Sequence, residues 1–307
     1  KLSPFEMHGA LHVENGKLTD QHGDVVQLYG MSTHGIAWFP QYVNPDAFRT
    51  LRDDWNTNCI RLAMYTAEDG GYCSGGDKEQ LKQLVKDGVS YATDLGMYVI
   101  VDWHILSDGD PNQNKDEAIA FFKEMAETFV NNDNVLYEIC NEPNGGTSWE
   151  SIKAYAEEII PVIREKKPDA VILVGTPTWS QEIDKAAESP LEDKNVMYTL
   201  HFYAGTHKDD LHNRLESYAQ NGLPIFVSEF GMCDASGNGV NDFESTAKWL
   251  DLLNKYQISF MCWNLANKDE SSSVFRANST KISDWTEEDL SEAGQWVKAY
   301  FQNRSYQ

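Results

Sequence analysis

The chain has 307 residues with 25 Lys+Arg against 48 Asp+Glu, a formal net charge of −23. Such a field repels phosphate backbones and anionic lipid, so neither nucleic acid nor a membrane surface is expected as a partner. Hydrophobic residues at 41% and charged residues at 24% exclude disorder, and the longest apolar runs, such as 97–103, are far too short for a membrane span.

In chain order, two short alternating pieces between Leu11 and Val26, joined at Glu14-Asn15-Gly16, predict a hairpin within residues 1–24. Apolar β-like runs then alternate with amphipathic helical patterns. Strands are predicted at 26–31, 59–65, 97–104, 135–141, 171–176, 196–202, 225–230 and 258–264. Helices are predicted at 45–55, 78–95, 116–130, 149–166, 181–187, 210–220, 243–256 and 288–301. Asn44-Pro45 and Ser148 supply start signals, while Leu95-Gly96 and Asn221-Gly222 supply stops. Strands apolar on both faces, each followed by a helix, imply a parallel sheet covered on both sides. Eight such units predict an α/β fold, a (β/α)₈ TIM barrel, as one domain over 1–307 with the hairpin closing its bottom.

The five cysteines offer no framework: Cys59, Cys140 and Cys262 fall in predicted strands, Cys73 and Cys233 in loops, and no CxxC occurs. The stretch from Asp108 to Asp116 imitates the start of a calcium loop, but Gln113 and Ile119 stand where Gly and Glu are needed. It reads as a polar loop entering a helix.

A barrel of this kind builds its working face at the C-terminal strand ends. Those ends carry His34 and Trp38, Arg61 and Tyr65, Asp102-Trp103-His104, Asn141-Glu142, Trp179, His201-Phe202-Tyr203, Ser228-Glu229 and Trp263-Asn264. Polar or aromatic groups at every end predict one shared cleft. The aromatics are candidate stacking platforms for a sugar ring, with core packing as the plainer role. Glu142 and Glu229 stand out because paired carboxyls are what glycosidic cleavage needs. One must be protonated to assist the leaving oxygen and the other ionised to attack, and a negative neighbour or burial keeps the acid protonated.

The segments Gly30-Met31-Ser32-Thr33-His34-Gly35, Ile60-Arg61-Leu62, Val101-Asp102-Trp103-His104, Tyr137 through Gly145, His201-Phe202-Tyr203 and Ser228-Glu229-Phe230-Gly231 occur in this order. Together they resemble glycoside hydrolase family 5, its bacterial endo-β-1,4-glucanases (cellulases) in particular, essentially end to end. The resemblance implies a retaining hydrolase of internal β-1,4-glucosidic bonds, with Glu142 as acid/base and Glu229 as nucleophile. It implies Arg61 and Tyr203 as supports of the nucleophile, and Asn141 as the group meeting the sugar 2-hydroxyl. His104 and His201 bind hydroxyls and support the acid/base, and Trp263 forms the aromatic floor. His34, Trp38, Tyr65, Trp179, Lys268 and Glu270 resemble positions of neighbouring subsites. No metal or organic cofactor is implied. The expected partner is a β-glucan chain, the expected state a monomer, and the expected location extracellular; the sequence starts at Lys1 without Met and shows no signal peptide, so a processed or trimmed product is expected. Other specificities on the same scaffold (β-mannan, mixed-linkage glucan, xyloglucan) remain open. So do a non-catalytic carbohydrate-binding protein and a metal-dependent hydrolase using His34, His104 and His201.

Overall fold

A computed structural model describes residues 1–304; the last three residues of the expected 1–307 domain lie outside it. The first element is a short helix, Pro4–His8, that the hydrophobic pattern did not reveal. Its signal is a capping box: the Glu6 N–H donates to Ser3 Oγ at 3.1 Å and the Ser3 N–H to Glu6 Oε1 at 3.2 Å. The hairpin follows, β1 (His12–Glu14) antiparallel to β2 (Lys17–Thr19), turning at Asn15 and Gly16 with φ of 52° and 74°.

The barrel strands are β3 (Tyr29–Thr33), β4 (Cys59–Tyr65), β5 (Tyr98–His104), β6 (Val135–Glu138), β7 (Ile172–Val174), β8 (Val196–Thr199), β9 (Phe202–Tyr203), β10 (Ile225–Gly231) and β11 (Phe260–Leu265). All pair in parallel, and pairing of β11 with both β10 and β3 closes the ring. Strand six is therefore two pieces, β8 and β9, where one continuous run was expected. The Leu200 N–H still donates to Phe226 O at 3.1 Å, but the chain leaves the ladder at His201, whose N–H donates to Ser180 O at 2.8 Å. That departure is what lets the His201 ring turn towards strand four.

Helices fill the intervals at Pro45–Asp53, Lys78–Asp94, Lys115–Thr128, Trp149–Arg164, Ile183–Glu188, Asp209–Gln220, Phe243–Lys255 and Glu292–Gln302. Side-chain caps explain several of their starts: Asn44 accepts from the Ala47 N–H at 2.7 Å, Ser148 from Ser151 at 3.1 Å, and Asp242 from Ser245 at 2.9 Å. The Asp108 segment is such a helix entry. Asp108 is buried, accepting from Thr66 Oγ1 at 2.7 Å and Asn114 Nδ2 at 3.0 Å.

Alternation along each strand sorts the side chains into an outer core beneath the helices and an inner stack within the ring. The lowest inner layers are apolar: Leu28, Cys59, Tyr98, Ile100, Leu136, Leu173, Phe226 and Met261 pack together, joined from the hairpin side by Leu11 and Leu18. One step further up β4, β5, β6 and β10 the inner positions become Arg61, Asp102, Glu138 and Ser228, all buried. The barrel interior thus changes from hydrocarbon to charge just below its C-terminal mouth.

Because Leu18 is 1% exposed within this inner stack, Leu18→Ala should destabilise the whole barrel by about 2–5 kcal/mol. Urea unfolding checks this; a hairpin that melts separately, leaving the main transition unmoved, would contradict it.

Candidate active site

Arg61 has no exposed surface, and three carboxylates converge on it. Arg61 Nη2 lies 3.0 Å from Asp102 Oδ2, Nε 2.9 Å from Glu138 Oε1, and Nη1 3.0 Å from Glu229 Oε1. Arg61 Nη2 also donates to Asn141 Oδ1 at 2.7 Å. Burial works against the guanidinium charge, but Asp102, Glu138 and Glu229 outweigh it and hold Arg61 firmly cationic.

Glu229 reaches the mouth because β10 shifts register against β11 between Val227 and Phe230. Such an irregularity redirects a side chain that strict alternation would turn away. Its second oxygen accepts from Tyr203 Oη at 2.6 Å. Glu142, just past β6, meets His201 instead: His201 Nδ1 is 2.8 Å from Glu142 Oε2. Burial is the main cause that raises Glu142 to about 8; Arg61 pulls it down, while Glu138 and Asp102 push it further up. The negative neighbours that matter are thus two buried residues that sequence reasoning left without a role. Carboxylate oxygens of Glu142 and Glu229 lie within 4.8 Å of each other.

The cleft above these groups encloses about 920 Å³. Its walls include His34, Trp38, Tyr65, His104, Glu142, Trp179, His201, Tyr203, Glu229, Trp263, Lys268 and Glu270. The other two expected site residues, Arg61 and Asn141, are fully buried beneath it. Asn141 donates from Nδ2 to Ile105 O at 2.9 Å while its Oδ1 serves Arg61. Trp263 stacks on His104 with ring centres 5.2 Å apart, and Tyr65 sits between His104 and Trp38. Lys268 Nζ is 3.4 Å from Glu270, whose other oxygen is 3.8 Å from His34 Nε2. Most tryptophans are core, as the plainer reading had it: Trp55, Trp103, Trp149, Trp249 and Trp285 are buried, whereas Trp38 and Trp179 are 37% and 47% exposed on the cleft.

Trp179 is held by three consecutive left-handed residues, Thr178, Trp179 and Ser180, with φ of 58°, 55° and 58°. Residues other than glycine adopt this region at a cost, so the surroundings must impose it. They do: the Trp179 N–H donates to Pro143 O at 2.8 Å and Ser180 Oγ to Asn141 O at 2.8 Å. The turn is thereby clamped to the residues on either side of Glu142.

The imidazoles are tied separately into the protein. His34 Nδ1 accepts from the Gly35 N–H at 2.7 Å, His104 Nδ1 lies 2.5 Å from Asp102 Oδ2, and His201 uses both nitrogens, on Glu142 and on Ser228. Burial keeps them neutral, lowering His34 to about 3 and His201 to about 4. Sequence reasoning placed Asp102 and Ser228 at strand ends of the cleft without giving them a role, and missed Glu138 beneath it and Glu68, Gln181 and His207 on the walls. A signal existed for Asp102 and Glu138 together. An acid inside an apolar parallel strand needs a buried partner, and Asp102 and Glu138 are register partners on adjacent strands.

Residues 19–269 match the family model described as Cellulase (glycosyl hydrolase family 5). The chain belongs to glycosyl hydrolase family 5. It is 49% identical over 296 residues to Endoglucanase A of Butyrivibrio fibrisolvens, covering 95% of this chain and 68% of that protein. Endoglucanase 5 of Pectobacterium carotovorum subsp. carotovorum is 48% identical over 297 residues, covering 96% of this chain and 58% of that one. The chain thus spans only about three-fifths to two-thirds of these relatives. The catalytic domain of Thermobifida fusca endoglucanase Cel5A, solved as a variant with cellotetraose, superposes with a TM-score of 0.94 at 41% identity, covering 98% of this chain and all of that one. Among the described residues of this family 5 chain, no helix is long and apolar enough to cross a membrane.

Glu142 carries a stability consequence. In the fold it keeps its proton up to about 8, whereas an unfolded Glu releases it near 4.5. Between those values the native state binds the extra proton, so its contribution to stability falls as pH rises. Glu142→Gln removes this loss. The variant should gain most over the unmutated chain near pH 8 and least near about pH 5, measured by denaturant midpoints. A pH-independent difference would contradict the raised acid.

Proposed function

We propose that this chain hydrolyses internal β-1,4-glucosidic bonds of cellulose and related β-glucans with retention of anomeric configuration, Glu142 acting as acid/base and Glu229 as nucleophile. The observation that carries this reading is the carboxyl pair. Its closest oxygens are within 4.8 Å, in keeping with the spacing of about 5–5.5 Å that retaining enzymes use and short of the roughly 6.5–9.5 Å that inverting ones need. The two environments differ as the two roles require. Glu142 is kept protonated by burial; Glu229 accepts hydrogen bonds on both oxygens, from Arg61 and Tyr203.

In the first step Glu142 gives its proton to the leaving glycosidic oxygen while a Glu229 oxygen bonds to the anomeric carbon. The resulting ester has no charge on Glu229. Arg61 is then less compensated, which favours ionised Glu142. Glu142 takes a proton from water, the water oxygen attacks the anomeric carbon, and the bond to Glu229 breaks. By resemblance to the family Asn141 meets the sugar 2-hydroxyl, and the neutral histidines hydrogen-bond hydroxyls without fixing charge. Trp263, Trp38 and Trp179 supply the stacking faces, with His34, Tyr65, Lys268 and Glu270 lining the remaining subsites. The uncharged polymer is not repelled by the acidic surface and is too large to enter a cell, which supports an extracellular enzyme; a monomer completes one cleft by itself. A non-catalytic sugar-binding protein has no use for a buried acid beside a doubly hydrogen-bonded carboxylate.

Activity should fall as pH rises past about 8, where Glu142 loses its proton. Glu142→Gln should lower cello-oligosaccharide turnover about 10²–10⁴-fold. A 2-fluoro cellobioside should label Glu229, detected by peptide mass mapping. Label on another residue, or an inverted first product by NMR, would refute the roles; faster release of sugar from mannan or xyloglucan than from carboxymethyl-cellulose would refute the substrate.

A further inference from the structure

Among the described residues, His201 links the Glu142 carboxyl to a buried chain of hydrogen bonds that ends on Arg61. His201 Nε2 lies 2.7 Å from Ser228 Oγ, and Ser228 Oγ donates to Glu138 Oε2 at 2.8 Å. Glu138 in turn accepts from Arg61 Nε at 2.9 Å and from Arg61 Nη2 at 3.2 Å. Every member is buried. We propose that Ser228 and Glu138 are positioning residues that set the direction of this chain, so that the hydrogen between His201 and Glu142 belongs to Glu142.

The argument runs from the cation outward. With Arg61 donating to both its oxygens, Glu138 is received as an acceptor, so the Ser228 hydroxyl points at it. The Ser228 oxygen then has only lone pairs for His201, which must present Nε2–H. His201 is neutral because burial lowers it to about 4, so its single hydrogen is spent on Ser228 and Nδ1 is a bare lone pair. That lone pair faces Glu142 Oε2 at 2.8 Å. Two acceptors do not hold that separation, so Glu142 carries the proton. Once Glu142 has protonated the leaving oxygen, its carboxylate faces the same lone pair, and recovering a proton from the attacking water restores the bond. The same polarity therefore serves both half-reactions. Around Glu142 stand His201, Arg61, Asp102, Glu138 and Glu229, with the phenols of Tyr65 and Tyr203. Among the described residues, His201 alone hydrogen-bonds to the Glu142 carboxyl oxygens.

This inference rests on Glu142 being the acid/base, and two measurements separate the two ideas. In the full chain labelled with ¹⁵N at its imidazoles, His201 should appear as the Nε2–H tautomer with Nδ1 unprotonated, without substrate or turnover. A proton on Nδ1 would overturn the positioning role alone, whereas absence of glucan hydrolysis by the unmutated chain would overturn the glucanase reading alone. Ser228→Ala frees His201 to donate from Nδ1 to ionised Glu142. Its kcat/KM on cellopentaose should fall about tenfold to a hundredfold, with the alkaline limb moved down by about one pH unit. Turnover of 2,4-dinitrophenyl β-cellobioside, whose leaving group needs little acid help, should stay within about threefold. Equal losses on both substrates with an unmoved limb would overturn the proposal. Ser228→Cys, close in volume but a weak hydrogen-bonding group, should show the same split to a smaller degree and serves if the alanine variant does not fold.

Discussion

A guanidinium without access to water must have its charge and its donors answered by protein, and Arg61 is answered by Asp102, Glu138, Glu229 and Asn141. These come from β5, β6, β10 and the loop after β6, so one side chain on β4 ties together half of the ring's eight strand positions at the level where its interior ceases to be apolar. The planar fork permits this; a lysine ammonium in the same place has three donors on a point charge and no fixed plane to set four partners at once. The rest of the site is built outward from that group. Glu229 is oriented directly, Asn141 through its amide oxygen, and Glu142 at the end of the path through Glu138, Ser228 and His201.

The arrangement is costly in isolation. A buried pair seldom outperforms well-packed hydrocarbon of the same volume, and Asp102 keeps one oxygen without a hydrogen-bond partner while burial raises it to about 7. Three consecutive left-handed residues add strain beside the same carboxyl. The large apolar stack below and the helix layer outside supply the compensation, since both are continuous around the barrel. Buried charge and left-handed backbone accordingly surround the groups that react.

Those features are also where expectation and structure part. The eight strand positions and eight intervening helices followed from apolar runs and 3.6-residue spacing, and their ends from Asn44, Ser148, Gly96 and Gly222. Strand six did not run on through His201, because the Ser180 carbonyl draws that residue's N–H out of the ladder. The helix at Pro4–His8 carries too few residues for a periodic signal, although its Ser3–Glu6 box was visible. Glu142 and Glu229 were legible because each follows an apolar strand directly. For Glu138 the strand run signalled only that the acid needs a buried partner; its partners, Arg61 and Ser228, lie on other strands, and nothing local names them.

By itself the sequence determined that the chain alternates strand and helix eight times, that it is acidic, and which polar residues stand at the strand ends. These are local properties, set by side-chain period, capping and adjacency along the chain. Only the closed ring decided that Arg61, Asp102, Glu138 and Glu229 meet. Their positions are as much as 168 residues apart in the chain, and what unites them is the shared height of inward-facing residues in a parallel barrel. The same closure decided why Glu142 stays protonated: burial beneath a cleft is a property of the whole surface, and no window of sequence contains it.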